Sequence, residues 1–346
     1  RARRPAASGP AWQDCEELLF TGKEITLRMT SLAAFVVGMV AVGLPARAAD
    51  SPVIGVASAR DAAIARIEQL AAQASPPESF LELALAAGRI VDPDLDAADV
   101  RRRIDGMAQE VRRHAGGEDS AEATAAAMRQ VVFVDHGFAT PAGDAPILTG
   151  ANVLDLCALH RLVKTRTTHC EGLATLYLVV GEAAGLPVSI CNAPIHTYAR
   201  VERDGSHLNV ECTAGGAPRP DDAMHRVNGA KPAAVGSETY FRPLDKRQFL
   251  CLQVNSLAYG LAKQPQGPAP LDMKQMVRLA EVIERLDPDH PESLDTAALI
   301  HAQAGDDARA AHIEQHALDK AAEYGTTPDV MGYFRDALKR YRSGKR

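Results

Sequence analysis

Apolar residues recur at intervals of three and four along most of the chain, and strand-like alternation is confined to one short stretch. The spacing predicts amphipathic helices over Ala57 to Gln73, over Glu78 to Ile90 and over Asp96 to His114. In the second of these, Phe80, Leu81, Leu83, Ala84 and Ala87 form one stripe. Asp92-Pro93 and Gly116-Gly117 punctuate the series, and a further helix is expected over Glu118 to Val134, ending before Gly137. Asn152 to about Val163 places Val153, Leu156, Leu159 and Val163 on one helical face. After the polar run KTRTT, Leu173, Leu176, Tyr177 and Val180 predict a helix from Cys170 to Ala184, stopped by Gly185-Leu186-Pro187. Three strands follow, over Val188 to Asn192, His196 to Arg203 and Ser206 to Thr213. Ala214 to Pro243, rich in proline and glycine, reads as loop, Leu244 to Leu261 as helix and QPQGPAP as a linker. Helices are then expected over Leu271 to Leu286, Glu292 to Ala304, Asp306 to Ala322 and Asp329 to Tyr341. They suit helical hairpins, but about two units fit where free-standing arrays need three or more, so they should dock on the preceding core.

Asp204-Gly205 is a strong two-residue hairpin signal. If Arg203 faces Ser206, then Arg200 faces Asn209 and Tyr198 faces Glu211. His196 shares the Tyr198 face, which makes it a diagonal neighbour of Glu211, roughly 7 to 8 Å away before the side chains reach toward each other. Asn209, two residues earlier on the same face, is the rival partner for the imidazole.

Composition adds limits. With 346 residues and 46% hydrophobic content the chain can bury a sizeable core. A net charge of −6 argues against a general nucleic-acid partner, which would need a basic face to displace counterions. Ser31 to Leu44 is an apolar run followed by Pro45-Ala46-Arg47-Ala48-Ala49, the form of a secretory signal of about residues 29–48, and too short for a membrane span. A periplasmic or secreted protein is expected, with no stable membrane span in its mature part. Five cysteines follow the run, Cys157, Cys170, Cys191, Cys212 and Cys251. An odd number leaves at least one thiol unpaired, for which Cys170 is the candidate. The other four read either as two disulfides or as small buried groups. No C-x-x-C pair occurs, and His312 and His316 in HIEQH lack the acid placement and third ligand of a zinc site, so neither metal nor cofactor is expected.

The chemistry concentrates in His169-Cys170-Glu171-Gly172, His196 and Glu211. A thiol in the first turn of a helix meets unpaired N–H groups and the positive end of the dipole, both of which favour thiolate. A histidine on the next strand pair, with an acid beside it, supplies a base and its support. His169 and Tyr198 lie near enough in this scheme to contact a substrate.

These residues carry a resemblance. HCEGLATLYLVVGEAAGLP, the histidine ahead of the hairpin and the acid ending the next strand resemble the transglutaminase-like superfamily, whose papain-like core packs a nucleophile helix on an antiparallel sheet. FLELALAAGRIVDPDLDAADVRRRIDGMA and LDPDHPESLDTAALIHAQAGDDARAA are similar to bacterial members that join such a core to tetratricopeptide-like helices. The resemblance implies an α+β chain: an upstream segment and signal over 1–49, a helical region over 50–140, the transglutaminase-like core over 141–262 and tetratricopeptide-like helices over 271–346. It also implies a Cys170 nucleophile, a His196 base and Glu211 as third member, the last a departure because many relatives have aspartate there. An exported hydrolase or acyltransferase acting on peptide or protein amides follows, with water or an amine as acceptor. The alternative is a non-catalytic scaffold whose C-terminal helices bind a protein partner.

Overall fold

The computed structural model describes residues 53–118, 120–141, 153–264 and 271–344; the expected signal segment lies outside them. The lead-in is helical: α1 Val53–Ala71, α2 Phe80–Val91, α3 Ala97–Ala115 and α4 Ala121–Arg129. Three of the four start on a side chain that satisfies a first-turn amide, Ser79 accepting from Glu82 N–H, Asp96 from Asp99 N–H and Ser120 from Ala123 N–H. Gly116 closes α3 in the left-handed conformation, φ 59°. The helix expected to run on to Val134 instead widens after Arg129 into a π-helical turn, Gln130–Asp135, whose end is closed by His136 N–H on Val131 C=O. The helix expected from Asn152 is two short ones, α5 Val153–Cys157 and α6 Leu159–Thr165, because Ala158 between them is extended.

Helix α7, Cys170–Ala184, is apolar nearly all round and buried along most of its length, as a central helix must be. Two glycines allow its neighbours to come close. A Cβ on Gly172 would stand 2.7 Å from the Leu156 carbonyl oxygen, and one on Gly181 2.6 Å from Val188 Cγ2. Gly185, φ 73°, ends the helix.

The sheet is antiparallel, in the order β1 Val188–Ala193, β2 His196–Arg203, β3 Ser206–Glu211 and β4 Ala217–Arg219. The β2–β3 register is the expected one, with Arg203 paired to Ser206 and Arg200 to Asn209. Asp204 and Gly205 both have positive φ, 51° and 76°, as a type I′ turn requires. Strand β4 was not expected. Gly215 and Gly216, φ 65° and 76°, reverse the chain so that Ala217 pairs with Glu211, and Pro218 is tolerated on this edge strand. Two short helices, α8 Asp221–Val227 and α9 Pro232–Val235, also interrupt the segment that reads as loop, the remainder of which is turn and irregular backbone.

One sheet face, with Ile190, Ala199, Val201 and Val210, joins Leu173, Leu176, Tyr177 and Val180 of α7 in the main core. The other face sends Cys191 and Tyr198 into a separate cluster with Met224, Tyr240, Phe241 and Tyr324. Beyond the sheet come α10 Lys246–Lys263, α11 Met273–Leu286, α12 Pro291–Gln303, α13 Asp307–Tyr324 and α14 Pro328–Arg342. Short connections between the last four make successive helices neighbours. They dock as their number requires: the main core continues from Ile64 of α1 through Leu257 of α10 to Ile283 and Ile300, and Arg278 of α11 is held by Glu68 and Asp61 of α1. The result is the α+β class expected, mostly helical around a small antiparallel sheet. Among the described residues, no helix is long and apolar enough to cross a membrane.

Candidate active site

Cys170 is the first residue of α7, and it is half-buried. The helix itself leaves its first amides unpaired. That of Glu171 is taken by the preceding side chain, His169 Nδ1, at 3.3 Å, which makes His169 the cap. The same imidazole has Nε2 at 3.2 Å from Cys157 Sγ and Nδ1 at 4.0 Å from Cys170 Sγ. The cap contact is the shorter of its two Nδ1 contacts, so His169 serves first as the anchor of the helix start. Burial opposes its charged form while the nearby sulphurs of Cys157 and Cys170 favour it, pushing its pKa up. The Cys157 thiol is itself raised, chiefly by burial.

His196, the first residue of β2, comes to Cys170 from the sheet. Its Nε2 lies 2.8 Å from Glu211 Oε2, leaving Nδ1 for the thiol. Glu211 is fixed in turn, since its Oε1 accepts from Thr213 N–H at 3.0 Å and from the Thr213 hydroxyl at 2.6 Å. The acid is thus held by a 3₁₀ turn, Cys212–Ala214, directly after the strand. Asn209 is engaged elsewhere, accepting from Arg200 Nε and donating to Asp221.

The electrostatics follow from these contacts. Burial alone would raise the Cys170 thiol, but hydrogen bonds to His169 and His196 and their charges outweigh it and bring the thiol down to about 5. Burial would likewise lower His196, yet Cys170 and Glu211 together carry it up to about 10. Glu211 is held below the usual carboxylate range, with His196 and Thr213 overcoming its burial. Between those limits the three form a thiolate, an imidazolium and a carboxylate, each stabilised by the next. Behind the nucleophile, burial pushes Glu171 up to about 7; its Oε2 accepts from the Ser256 hydroxyl of α10, and its Oε1 has no hydrogen-bond partner among the described residues.

The structure therefore brings Cys170, His196, Glu211 and His169 together and sends Tyr198 elsewhere. Tyr198 is 1% exposed in the cluster on the far face, its hydroxyl accepting from Arg200 at 3.2 Å. It does share the His196 face of the strand, but only the strand end reaches round to the helix N-terminus. His207 pairs with Asp221 and His316 with Asp289, both away from Cys170. The five described cysteines are all free thiols, so the two-disulfide alternative is not formed, and the four besides Cys170 are buried. Sequence reading gave Glu171 no role of its own and missed Thr213, Cys157 and Ser256 as neighbours. Adjacency to the strand end and to the nucleophile signals Thr213 and Glu171; nothing local signals Cys157 or Ser256.

No curated protein matches the chain. Among solved structures it is similar to the crystal structure of menin that reveals the binding site for Mixed Lineage Leukemia (MLL) protein, with 13% sequence identity and a TM-score of 0.54. The match covers 83% of this chain and 66% of that one, just under two thirds of its length, and at this identity it is a likeness of fold. Residues 98–253 match the family model of the transglutaminase-like superfamily, a span that takes in α3, the helix of Cys170 and the strands of His196 and Glu211. Over those residues the chain carries a transglutaminase-like superfamily domain, a fold typical of cysteine enzymes.

Proposed function

We propose that this protein is a cysteine-dependent acyl-transfer enzyme acting on peptide-like amides, with Cys170 as nucleophile, His196 as acid and base, and Glu211 as the group that orients the imidazole. The observation that carries this reading is the position of His196, which faces Cys170 on one side and is held by Glu211 at 2.8 Å on the other. In the reaction, the Cys170 thiolate attacks the carbonyl carbon and the C=O electron pair moves to oxygen. The N–H of Cys170, one of the amides that the helix leaves free, is the nearest donor for that oxyanion. The tetrahedral species collapses with loss of the amine, to which the His196 imidazolium gives its proton, leaving a thioester on Cys170. The neutral imidazole then takes a proton from water or from an acceptor amine as it attacks, releasing acid or new amide and restoring the thiolate. Glu211 keeps its charge throughout and stabilises the imidazolium.

Export through the Ser31 to Leu44 segment belongs to the same proposal, which places the substrates outside the cytoplasm. A second reading, a protein-binding scaffold, draws support from a groove of about 550 Å³ between α13 and α14, floored by Leu318 and Leu338 and edged by Arg335, Lys339 and Arg342. The deciding experiment is intact-mass labelling with iodoacetamide near neutral pH. The enzyme reading expects Cys170 to be alkylated first and Cys170→Ala to remove that event. Fastest labelling at Cys191, Cys212 or Cys251, with Cys170 inert in the folded protein, overturns it.

A further inference from the structure

The loop joining β1 to β2 has two residues, Pro194 and Ile195, with Ala193 paired to His196 across it. Proline holds its own φ near −65°. The two turns whose twist suits a hairpin both need a positive φ at the first loop position, so this loop can use neither. The left-handed backbone falls instead on the second position, where Ile195 has φ 57°. Glycine or asparagine suits that position, and a β-branched residue is an outlier there. The neighbouring hairpin, Asp204-Gly205, has the favourable residues for its own turn.

Packing does not compensate the strain. Ile195 is 64% exposed, more than any other large apolar side chain among the described residues. It is also the residue immediately before His196. Strain with no packing return, beside a reactive group, points to contact with a ligand. Val134, next in exposure at 59%, sits in the π-helical turn whose Phe133 packs on Gly216. Gly216 N–H in turn donates to the carbonyl of Glu211. The two most exposed large apolar side chains among the described residues therefore belong to the segments adjoining His196 and Glu211.

We propose that Ile195 is a specificity-determining residue of the Cys170 site, forming an apolar wall beside His196 that receives an apolar group of the substrate next to its reacting carbonyl. The inference rests on the thiol-enzyme reading and adds to it the class of substrate, an acyl compound with an apolar neighbour rather than a charged one. Its test compares two alkylating probes on Cys170, iodoacetamide and an N-hexyl iodoacetamide. In each reaction the thiolate sulphur bonds to the CH₂ carbon and iodide leaves, so only the apolar arm differs. The rate ratio, hexyl over plain, is expected to be about tenfold or more in the native chain. It should fall to near one in Ile195→Asn, which suits the left-handed backbone, and stay well above one in Ile195→Leu. Val227→Asn, which removes an exposed apolar group from α8, should keep the native ratio. Thermal unfolding of Ile195→Asn should occur at the native temperature or above, since strain is relieved. A ratio near one in the native chain, or an unchanged ratio in Ile195→Asn, overturns the proposal while leaving the thiol-enzyme reading intact. A Cys170 that reacts with neither probe overturns both.

Discussion

Two clusters of buried acidic groups in this molecule resolve the cost of burial in opposite ways. At the end of the sheet, Cys170, His196 and Glu211 alternate in sign, so each makes the next easier to ionise. Between α12 and α13, Asp295 faces Glu314, whose two oxygens are buried, and like meets like. Burial raises both carboxyls, and the neighbouring Asp295 charge raises Glu314 further while the hydrogen bond with Glu314 draws Asp295 part of the way back, so the pair holds a proton well above the usual carboxylate range. The first arrangement sustains charge at neutral pH and the second suppresses it. Burial disfavours every charged form alike, so the sign of the nearest partner decides whether a buried group becomes reactive or merely neutral.

The largest effect should come from removing the cation of the alternating set. His196→Ala is expected to slow turnover by about 10²- to 10⁴-fold, the usual worth of a positioned acid–base group, and to raise the apparent pKa of Cys170. Alkylation rate against pH reads the second effect. In the native protein labelling should rise through about 5 and then level off. Turnover should show the same acid limb and a second fall near 10, where His196 loses the proton that the leaving amine needs. An alkylation profile that rises only near 9 in the native chain would count against the ion pair.

Glu211→Gln should cost about a hundredfold in turnover, toward the lower end of that range, because an amide still holds Nε2 but no longer stabilises the imidazolium. Glu211→Asp should lie between the native and Gln forms. A greater loss from Asn209→Ala than from Glu211→Ala, both folded, would move the orienting role to Asn209. Gly172→Ala probes the scaffold. Its Cβ would meet the Leu156 carbonyl at 2.7 Å and run into the Thr168 hydroxyl, so α7 must shift, at about 1 to 3 kcal/mol of stability by chemical denaturation. Cys170 labelling should slow in parallel, since the same turn carries the thiol.

The opposite arrangement is tested by Glu314→Gln. Because folding raises these carboxyl pKa values, the folded state keeps a proton that the unfolded chain releases. Stability from this pair is fully present below the ordinary carboxylate range and is lost as pH rises through the raised values. Urea midpoints across pH 4 to 9 should fall in the native chain and be flatter in Glu314→Gln, with no change in Cys170 labelling. The smallest effect is expected for His169→Asn, which keeps a cap on α7. If His169 is mainly that anchor, Cys170 labelling at pH 7 should stay within a fewfold of native. A loss as deep as that of His196→Ala would make it a second charged partner of the thiol.

Much of the site is legible in the chain itself because its determinants are local. The Cys170–Ala184 helix is written in its own periodicity and its terminal glycine, and Asp204-Gly205 sets a turn that brings His196 and Glu211 into register. Positions that alternate or recur over a few residues report on elements that those same residues build. Even the reach of Glu211 follows from counting along the hairpin.

The tertiary structure decided what adjacency cannot encode. Tyr198 has the same strand parity as His196, yet packing by Met224 and Tyr240 from beyond the sheet buries it on the far side. Strand β4 exists because Glu211 offers a free edge to Ala217, although the segment's own residues are those of a loop. Ser256 meets Glu171 across 85 positions, and the Asp295–Glu314 pair arises only when α12 and α13 lie side by side. Hydrogen-bond ladders and turns are settled by neighbours a few residues away. Which buried groups share a space, and hence which of them carry charge, is settled by how the helices and the sheet close on one another.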